Sequence, residues 1–448
     1  MPVACLLYLA SYIDRANIGN AKVLGMFASL GLNNNQYNLA LSIFFVGYVI
    51  FETPSNVILK RVNPKYYIPS LTVLWGVVCA LFSVVQSPSG LIAIRFFLGL
   101  AEAGFLPGLI YWLGCWYPRP MQGRRYAVLY SSVSVTGAFG GLLATAIHSL
   151  DGKHGIEGWR WIYIVEGCIT AGFGLLAYIY MVAYPDTAPF LTARERDIVL
   201  LANEADRALK ATETFSRTQI LSAFKDWRTY LWGVVFLATY IPVYSVILSL
   251  PSVVVGLGYK GTTATLMACP PYGFGFVIVL TAGWSIDKFG RRYWHYVGAI
   301  GVTLAALIVL MVATNLVVRY VMFFFIMFMF VPISIIWAWL SSNVAGSNKR
   351  AAASGLVFSI GNIGGAISGQ IYRAEWAPRY VQGHAINVGA YALALIAGTA
   401  LWWSYRRDNA KRDREAVDQE KARIGKGDML GEELGELGDR HPNFRYYL

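Results

Sequence analysis

Twelve stretches of about 20 mostly apolar residues recur along the chain, the length a helix needs to cross the hydrocarbon of a bilayer. They cover roughly 2–21, 37–59, 66–86, 90–115, 124–148, 159–183, 227–252, 262–285, 294–314, 319–341, 351–371 and 385–405. Lipid offers the backbone no hydrogen bonds, so each stretch must satisfy its own amides as a helix. Composition agrees: of 448 residues 56% are hydrophobic and only 14% charged, where a soluble domain carries about a quarter charged. Fourteen Trp, 28 Tyr and 44 Gly suit interfacial aromatics and close helix packing. The expected fold class is an all-α polytopic membrane protein, and a water-soluble enzyme is excluded.

The net charge of +12 is a matter of topology. Loops and tail on one side of the twelve spans carry 28 Lys and Arg, the other side carries 7, and two lie inside spans. The positive-inside rule places the rich side, with both termini, in the cytoplasm. No nucleic-acid footprint remains once this is allowed for. Cys5, Cys79, Cys115, Cys168 and Cys269 lie singly in apolar spans, without metal-ligand spacing. The first span begins at Met1 without a polar leader, so it reads as a span rather than a signal peptide, and a missing cytoplasmic N-terminal stretch is an open expectation.

One long polar insertion, 185–226, divides the spans into two sets of six. The expected organisation is a six-helix bundle over 1–184, a cytoplasmic linker with an amphipathic helix over 185–226, a second bundle over 227–405, and a polar, largely disordered cytoplasmic tail over 406–448. The two sets echo each other. KRVNPK at 60–65 corresponds to DKFGRR at 287–292, and GAFGG at 137–141 to GNIGG at 361–365. Such repeats place a substrate site between the halves, near the midplane. The spaced glycines Gly104/Gly108, Gly137/Gly141 and Gly365/Gly369 read as close-packing sites.

Ionisable groups inside spans are costly and usually functional. Six occur: Asp14, Arg15, Glu52, Arg95, Glu102 and Glu166. Arg95 and Glu102, seven residues apart, share one helix face about 10 Å apart along the axis. Asp14 and Arg15 point about 100° apart and serve different contacts. An arginine at the midplane offers a forked donor to a carboxylate, and a carboxyl taken out of water can exchange a proton. Together they fit an organic anion coupled to a proton; internal ion pairing is the plain alternative. Glu52 and Glu166 are expected to be structural charges, with Lys60 the partner of Glu52.

Gly283, Asp287, Gly290, Arg291 and Arg292 match the pattern G-x-x-x-D-[RK]-x-G-[RK]-[RK] in a short loop. That pattern resembles the signature of the major facilitator superfamily, whose fold is two six-helix bundles, and marks the loop as a gating motif. YIDRANIGNAK, the run from Arg95 to Glu102, GWRWIYIVEG and DRHPNFRYYL look similar to the anion:cation symporter family, in its fungal allantoate and nicotinate permease-like branch. The resemblance implies proton-driven uptake of a small organic anion at the plasma membrane by a monomer. It implies Asp14 and Glu102 as proton-coupling carboxylates and Arg15 and Arg95 as substrate-binding cations. Tyr48 and Asn362 fall near substrate contacts of the family. Tyr240 and Tyr244 flank Pro242, where a broken helix would turn hydroxyls into a cavity; packing is the other reading. With Trp337 and Trp339 these rings suit a flat carboxylate such as nicotinate, beside pantothenate and allantoate. A facilitator, an antiport exporter and a non-transporting nutrient receptor stand as alternatives. No nucleophile–base set, metal cluster or nucleotide fingerprint occurs, so no enzyme activity, cofactor or metal is expected beyond the proton as coupling ion.

Overall fold

Helices begin where the sequence supplies caps for free amides. Asn33 and Gln36 form a reciprocal box, each side-chain oxygen accepting from the other's backbone N–H at 2.8 and 3.0 Å. Asn63, Ser87, Asp226 and Asn315 cap four further helices. Pro64 and Pro88 sit in first turns, where an amide is not needed.

The computed structural model describes residues 1–117, 119–182, 184–201, 217–259, 261–344, 347–423 and 446–447. Over these residues the chain is helical, with twelve long segments matching the expected spans. They are α1 (Pro2–Ala21), α2 (Asn34–Arg61), α3 (Pro64–Ala80), α4 (Pro88–Trp116), α5 (Arg119–His148) and α6 (Gly158–Tyr180). The second set is α7 (Trp227–Val255), α8 (Gly261–Phe289), α9 (Arg292–Val312), α10 (Leu316–Asn343), α11 (Ser347–Ser368) and α12 (Val381–Arg423). Among the described residues nine are long and apolar enough to span a bilayer by length and hydropathy alone. Those outside that group, α1, α2 and α11, carry polar groups buried between helices, including Asp14, Arg15, Glu52 and Asn362.

Two helices are interrupted. α4 breaks at Ala103–Gly104, directly after Glu102, and α10 tightens into a 3₁₀ turn at Met327–Met329. α7 is not broken at Pro242: it runs continuously from Trp227 to Val255, with Ser245 Oγ donating to the Pro242 carbonyl at 2.9 Å. A buried proline removes one amide bond without ending a helix that its neighbours hold in place.

The halves meet through α1 with α7, α2 with α11, α5 with α8 and α5 with α10. Small residues set these approaches. A Cβ at Gly141 would stand 3.0 Å from the Thr265 carbonyl oxygen on α8, and one at Gly369 would stand 2.8 Å from Leu41 Cβ on α2. Outward-facing aliphatics such as Ile179 and Val312, 72% and 73% exposed, form the apolar surface a bilayer covers.

In the inter-bundle segment, residues 193–201 are helical and a short helix spans Arg217–Lys225. The rest of the expected amphipathic helix, 202–216, lies outside the described residues. The tail departs from the expectation of disorder, because α12 continues to Arg423 and Tyr446–Tyr447 dock against the second bundle. Residues 424–445 lie outside the described residues.

Candidate substrate-binding site

Arg15 and Asp14 leave α1 in different directions, as adjacent helical positions must. Arg15 turns toward the second bundle. Its Nε donates to Glu102 Oε1 at 2.8 Å and its Nη1 to the Tyr244 hydroxyl at 3.0 Å, joining α1, α4 and α7. Ser11, one turn earlier on the same face, also bonds Glu102 Oε1. The guanidinium lies 5.0–5.2 Å from the ring centres of Tyr12, Phe44 and Tyr48. Such a cage of aromatic faces compensates a cation removed from water.

Asp14 turns into the first bundle. Trp75 Nε1 and Thr170 Oγ1 each donate to its Oδ2 at 3.1 Å, and Cys79 Sγ lies 3.3 Å from Oδ1. Glu166, one turn before Thr170 on α6, is buried beside it, and neither of its oxygens has a hydrogen-bond partner among the described residues. Arg95 is also buried, its guanidinium 5.2 Å from the Phe82 ring centre; its Nε and Nη2 have no hydrogen-bond partner among the described residues.

A cavity lies between the halves, lined by Tyr12, Arg15, Arg95, Tyr244 and the apolar side chains of α2 and α7. It is small, with room for roughly one water. Both ends are closed. On one side Gly19 of α1 packs against the Leu248 carbonyl of α7, alongside the Gly141 and Gly369 contacts. Toward the basic loops Trp337 of α10 packs against Tyr8, Tyr126, Tyr130 and Phe358, with ring centres 5.3–6.5 Å apart. Two helical bundles thus enclose buried, oppositely charged groups between two closures, and a solute can enter only if the bundles part.

A model of the Major Facilitator Superfamily matches residues 4–369. The chain belongs to the major facilitator superfamily. Among curated relatives, the MFS-type transporter cnsO of Penicillium expansum is 35% identical, covering 100% of this chain and 88% of that protein. An uncharacterised transporter of Schizosaccharomyces pombe is 33% identical over 95% of this chain and 89% of its own length. The major facilitator-type transporter hxnP of Emericella nidulans is 29% identical, with coverage of 100% and 91%. A bacterial homolog of the human lysosomal transporter Spinster, solved inward-facing and unoccupied, superposes with a TM-score of 0.65 at 15% identity, covering 89% of this chain and 94% of that one. That likeness speaks to the fold. This major facilitator protein is a membrane transporter rather than an enzyme.

The structure brings Arg15, Arg95 and Tyr244 to one cavity and places the others around it. Tyr48 lies under the Arg15 guanidinium and Tyr240 packs on Tyr244, 5.3 Å between ring centres, without lining the cavity. Asn362 also stands back from the cavity, its Nδ2 3.2 Å from Glu52 Oε2. Glu52 bonds Asn362 and Ser359 across the bundle interface, on the face that α2 turns toward α11; the side chain of Lys60, its expected partner, lies outside the described ones. Trp339 is no cavity residue: its ring packs on Trp232 and its Nε1 donates to the Tyr447 carbonyl at 2.8 Å.

In the signature loop Gly283 is buried in α8, and Gly290 takes φ +64°, the left-handed turn that glycine permits. Arg292 reaches α10, donating to the Ala338 carbonyl at 3.1 Å and to Ser342 Oγ at 2.8 Å. Asp287 and Arg291 are exposed, and Asp287 lies within electrostatic reach of Arg292. Sequence reasoning missed Ser11 and Tyr12. The i, i+4 spacing of Ser11 and Arg15 was the available signal for the first.

Proposed function

We propose that this transporter is a proton-coupled carrier of a small organic anion, of the anion:cation symporter kind, working by alternating access. The observation that carries the reading is the pairing inside one cavity. Arg15 and Arg95 line it, and the one carboxylate bonded to either is Glu102, on Arg15, among the described residues. A carboxylate substrate supplies the charge that completes the set.

In the proposed cycle a proton taken up by Glu102 releases Arg15, which then binds the carboxylate together with Arg95. Asp14 provides a second proton site. With these charges neutralised the bundles rock past each other, and anion and proton leave on the basic-loop side, which the positive-inside rule makes cytoplasmic. The bundles move as 1–184 and 227–405, and the signature loop gates the basic-loop end. The tyrosines around Arg15 favour a flat carboxylate, nicotinate before pantothenate or allantoate. Residence in the plasma membrane as a monomer belongs to the same proposal.

The test is uptake of a labelled carboxylate panel into proteoliposomes under an inward proton gradient, repeated with protonophore. Accumulation of one anion that collapses with protonophore supports the reading. The Glu102→Gln variant should retain counterflow exchange and lose accumulation. Flux indifferent to the gradient makes the protein a facilitator. Binding without flux makes it a receptor, and preference for a neutral or cationic solute makes it an exporter.

A further inference from the structure

Glu166 is a buried carboxyl for which the cycle above has no use. It is 2% exposed, lies within the membrane-spanning part of α6, and, unlike Glu52, has no hydrogen-bond partner for either oxygen among the described residues. A purely structural charge would be expected to have found donors, because an unpaired buried ion is among the most costly groups in a protein.

Its neighbour is Asp14. Thr170, which donates to Asp14, lies one turn beyond Glu166 on the same face of α6, about 6 Å along the axis. The two carboxyls are within electrostatic reach. Two such groups in a low dielectric do not both keep a charge, and the proton rests on the one with less support. Among the described residues Asp14 has three donors and Glu166 none.

The surroundings contain the other groups this exchange involves. Cys79 of α3 is within electrostatic reach of Asp14, Glu166 and Arg95, Tyr163 of α6 within reach of Cys79, Glu166 and Arg95, and Glu102 of α4 within reach of Asp14. Lys22, on the turn after α1, lies 4.2 Å from the Tyr37 ring centre, and Tyr37 in turn is within reach of Arg95 and Tyr163. α5 meets α6 through Ala144 and Ile147 against Ile162, an apolar seam. The pair is thus walled from solvent on one side and connected to the cavity cation Arg95 on the other.

We infer that Asp14 and Glu166 form one two-carboxyl proton site, in which Glu166 carries the travelling proton and Asp14 remains ionised. The proposal rests on the proton-coupled reading above and relocates the proton assigned there to Asp14. Hydronium gives its proton to a Glu166 oxygen and leaves water; on the opposite side the O–H bond breaks to water and the carboxylate returns. No other bond changes. The uncharged Glu166 lowers the negative charge beside Cys79 and Tyr163, both within reach of Arg95, and so leaves Arg95 freer to hold an anion.

Infrared difference spectroscopy on the purified full chain in lipid tests the assignment directly. A carboxylic-acid C=O component present in the wild type should vanish in Glu166→Gln and persist in Asp14→Asn. In proteoliposomes Glu166→Gln should keep anion counterflow, which shows that it is folded and binds, yet lose at least about tenfold of proton-driven accumulation; Glu166→Asp should recover part of it. A Glu166→Gln variant that accumulates like the wild type, or an infrared spectrum unchanged by it, overturns the Glu166 assignment alone. Wild-type accumulation that ignores protonophore overturns the coupled-transport reading, and the coupling role of Glu166 with it.

Discussion

Arg15 Nε stands 2.8 Å from Glu102 Oε1, both groups buried, and the same guanidinium donates to Tyr244 across the interface between the two bundles. One side chain therefore connects the candidate proton site to the surface along which the bundles must separate. Replacing Arg15 by Lys keeps the charge but loses the fork. Each charge-assisted hydrogen bond is worth about 1.5–3 kcal/mol. Isothermal titration with the transported anion should show binding weakened roughly tenfold or more. An unchanged Kd removes Arg15 from the binding site.

Gly141 sets how closely α5 and α8 approach away from the basic loops. A Cβ there would meet Cys269 Sγ at 2.9 Å and the Thr265 carbonyl oxygen at 3.0 Å. Gly141→Val should therefore hold that end open and expose Cys269, which is 8% exposed in this closed arrangement. In a background with Cys269 as the single cysteine, a membrane-impermeant thiol reagent should label the variant faster from that side. Equal labelling would show that the seam adjusts without opening.

Glu157, at the start of α6, is the carboxylate of a clasp outside the spans. Ser29 Oγ, Trp159 Nε1 and Arg160 Nε donate to its Oε2 at 2.6, 2.8 and 3.0 Å. The Ser29 hydrogen bond above all, with those from Arg160 and Trp159, holds this carboxyl below the usual glutamate range. A lowered carboxylate contributes stability that is complete above its unfolded value, about 4.3, and is lost as pH falls through the folded value. Melting temperature should thus drop on acidification below about pH 4.3, and Glu157→Gln should flatten that part of the profile. The side chain is 48% exposed, so the effect is small and salt-sensitive.

Tyr446 and Tyr447 tie the tail to three helices. The Tyr446 ring stacks on Tyr405, 4.5 Å between centres, and its hydroxyl accepts from Arg228 Nη1 at 3.0 Å. The Tyr447 amide donates to Asn343 Oδ1 at 2.7 Å, while its carbonyl accepts from Trp339. Tyr446→Ala should lower the melting temperature by several degrees, at roughly 2–4 °C per kcal/mol. An unaltered Tm would show that the docking contributes nothing to stability.

Much of this architecture was readable because lipid simplifies the problem. A run such as 294–314 has to be a helix, and α9 spans Arg292–Val312. The charged positions were equally visible, since Asp14, Arg15, Arg95 and Glu102 stand out against apolar neighbours. Their partners were not. Glu52 bonds Asn362, 310 positions away, a partner that no local spacing indicates. Trp339 looked like a cavity ring and instead holds Tyr447, because the facing of a uniformly apolar helix is decided by its neighbours. Pro242 suggested a break that packing around α7 prevents.

The sequence by itself determined the helices, their number, and the charges they carry inward, because backbone amides in hydrocarbon have one way to be satisfied and buried ions are too costly to be incidental. Only the tertiary structure decided which of those charges meet. Adjacent residues Asp14 and Arg15 diverge by about 100° around α1, one toward Glu166 and the interior of a bundle, the other toward Glu102 and the interface. Pairing over such distances depends on how helices far apart in the chain pack, which no local pattern encodes.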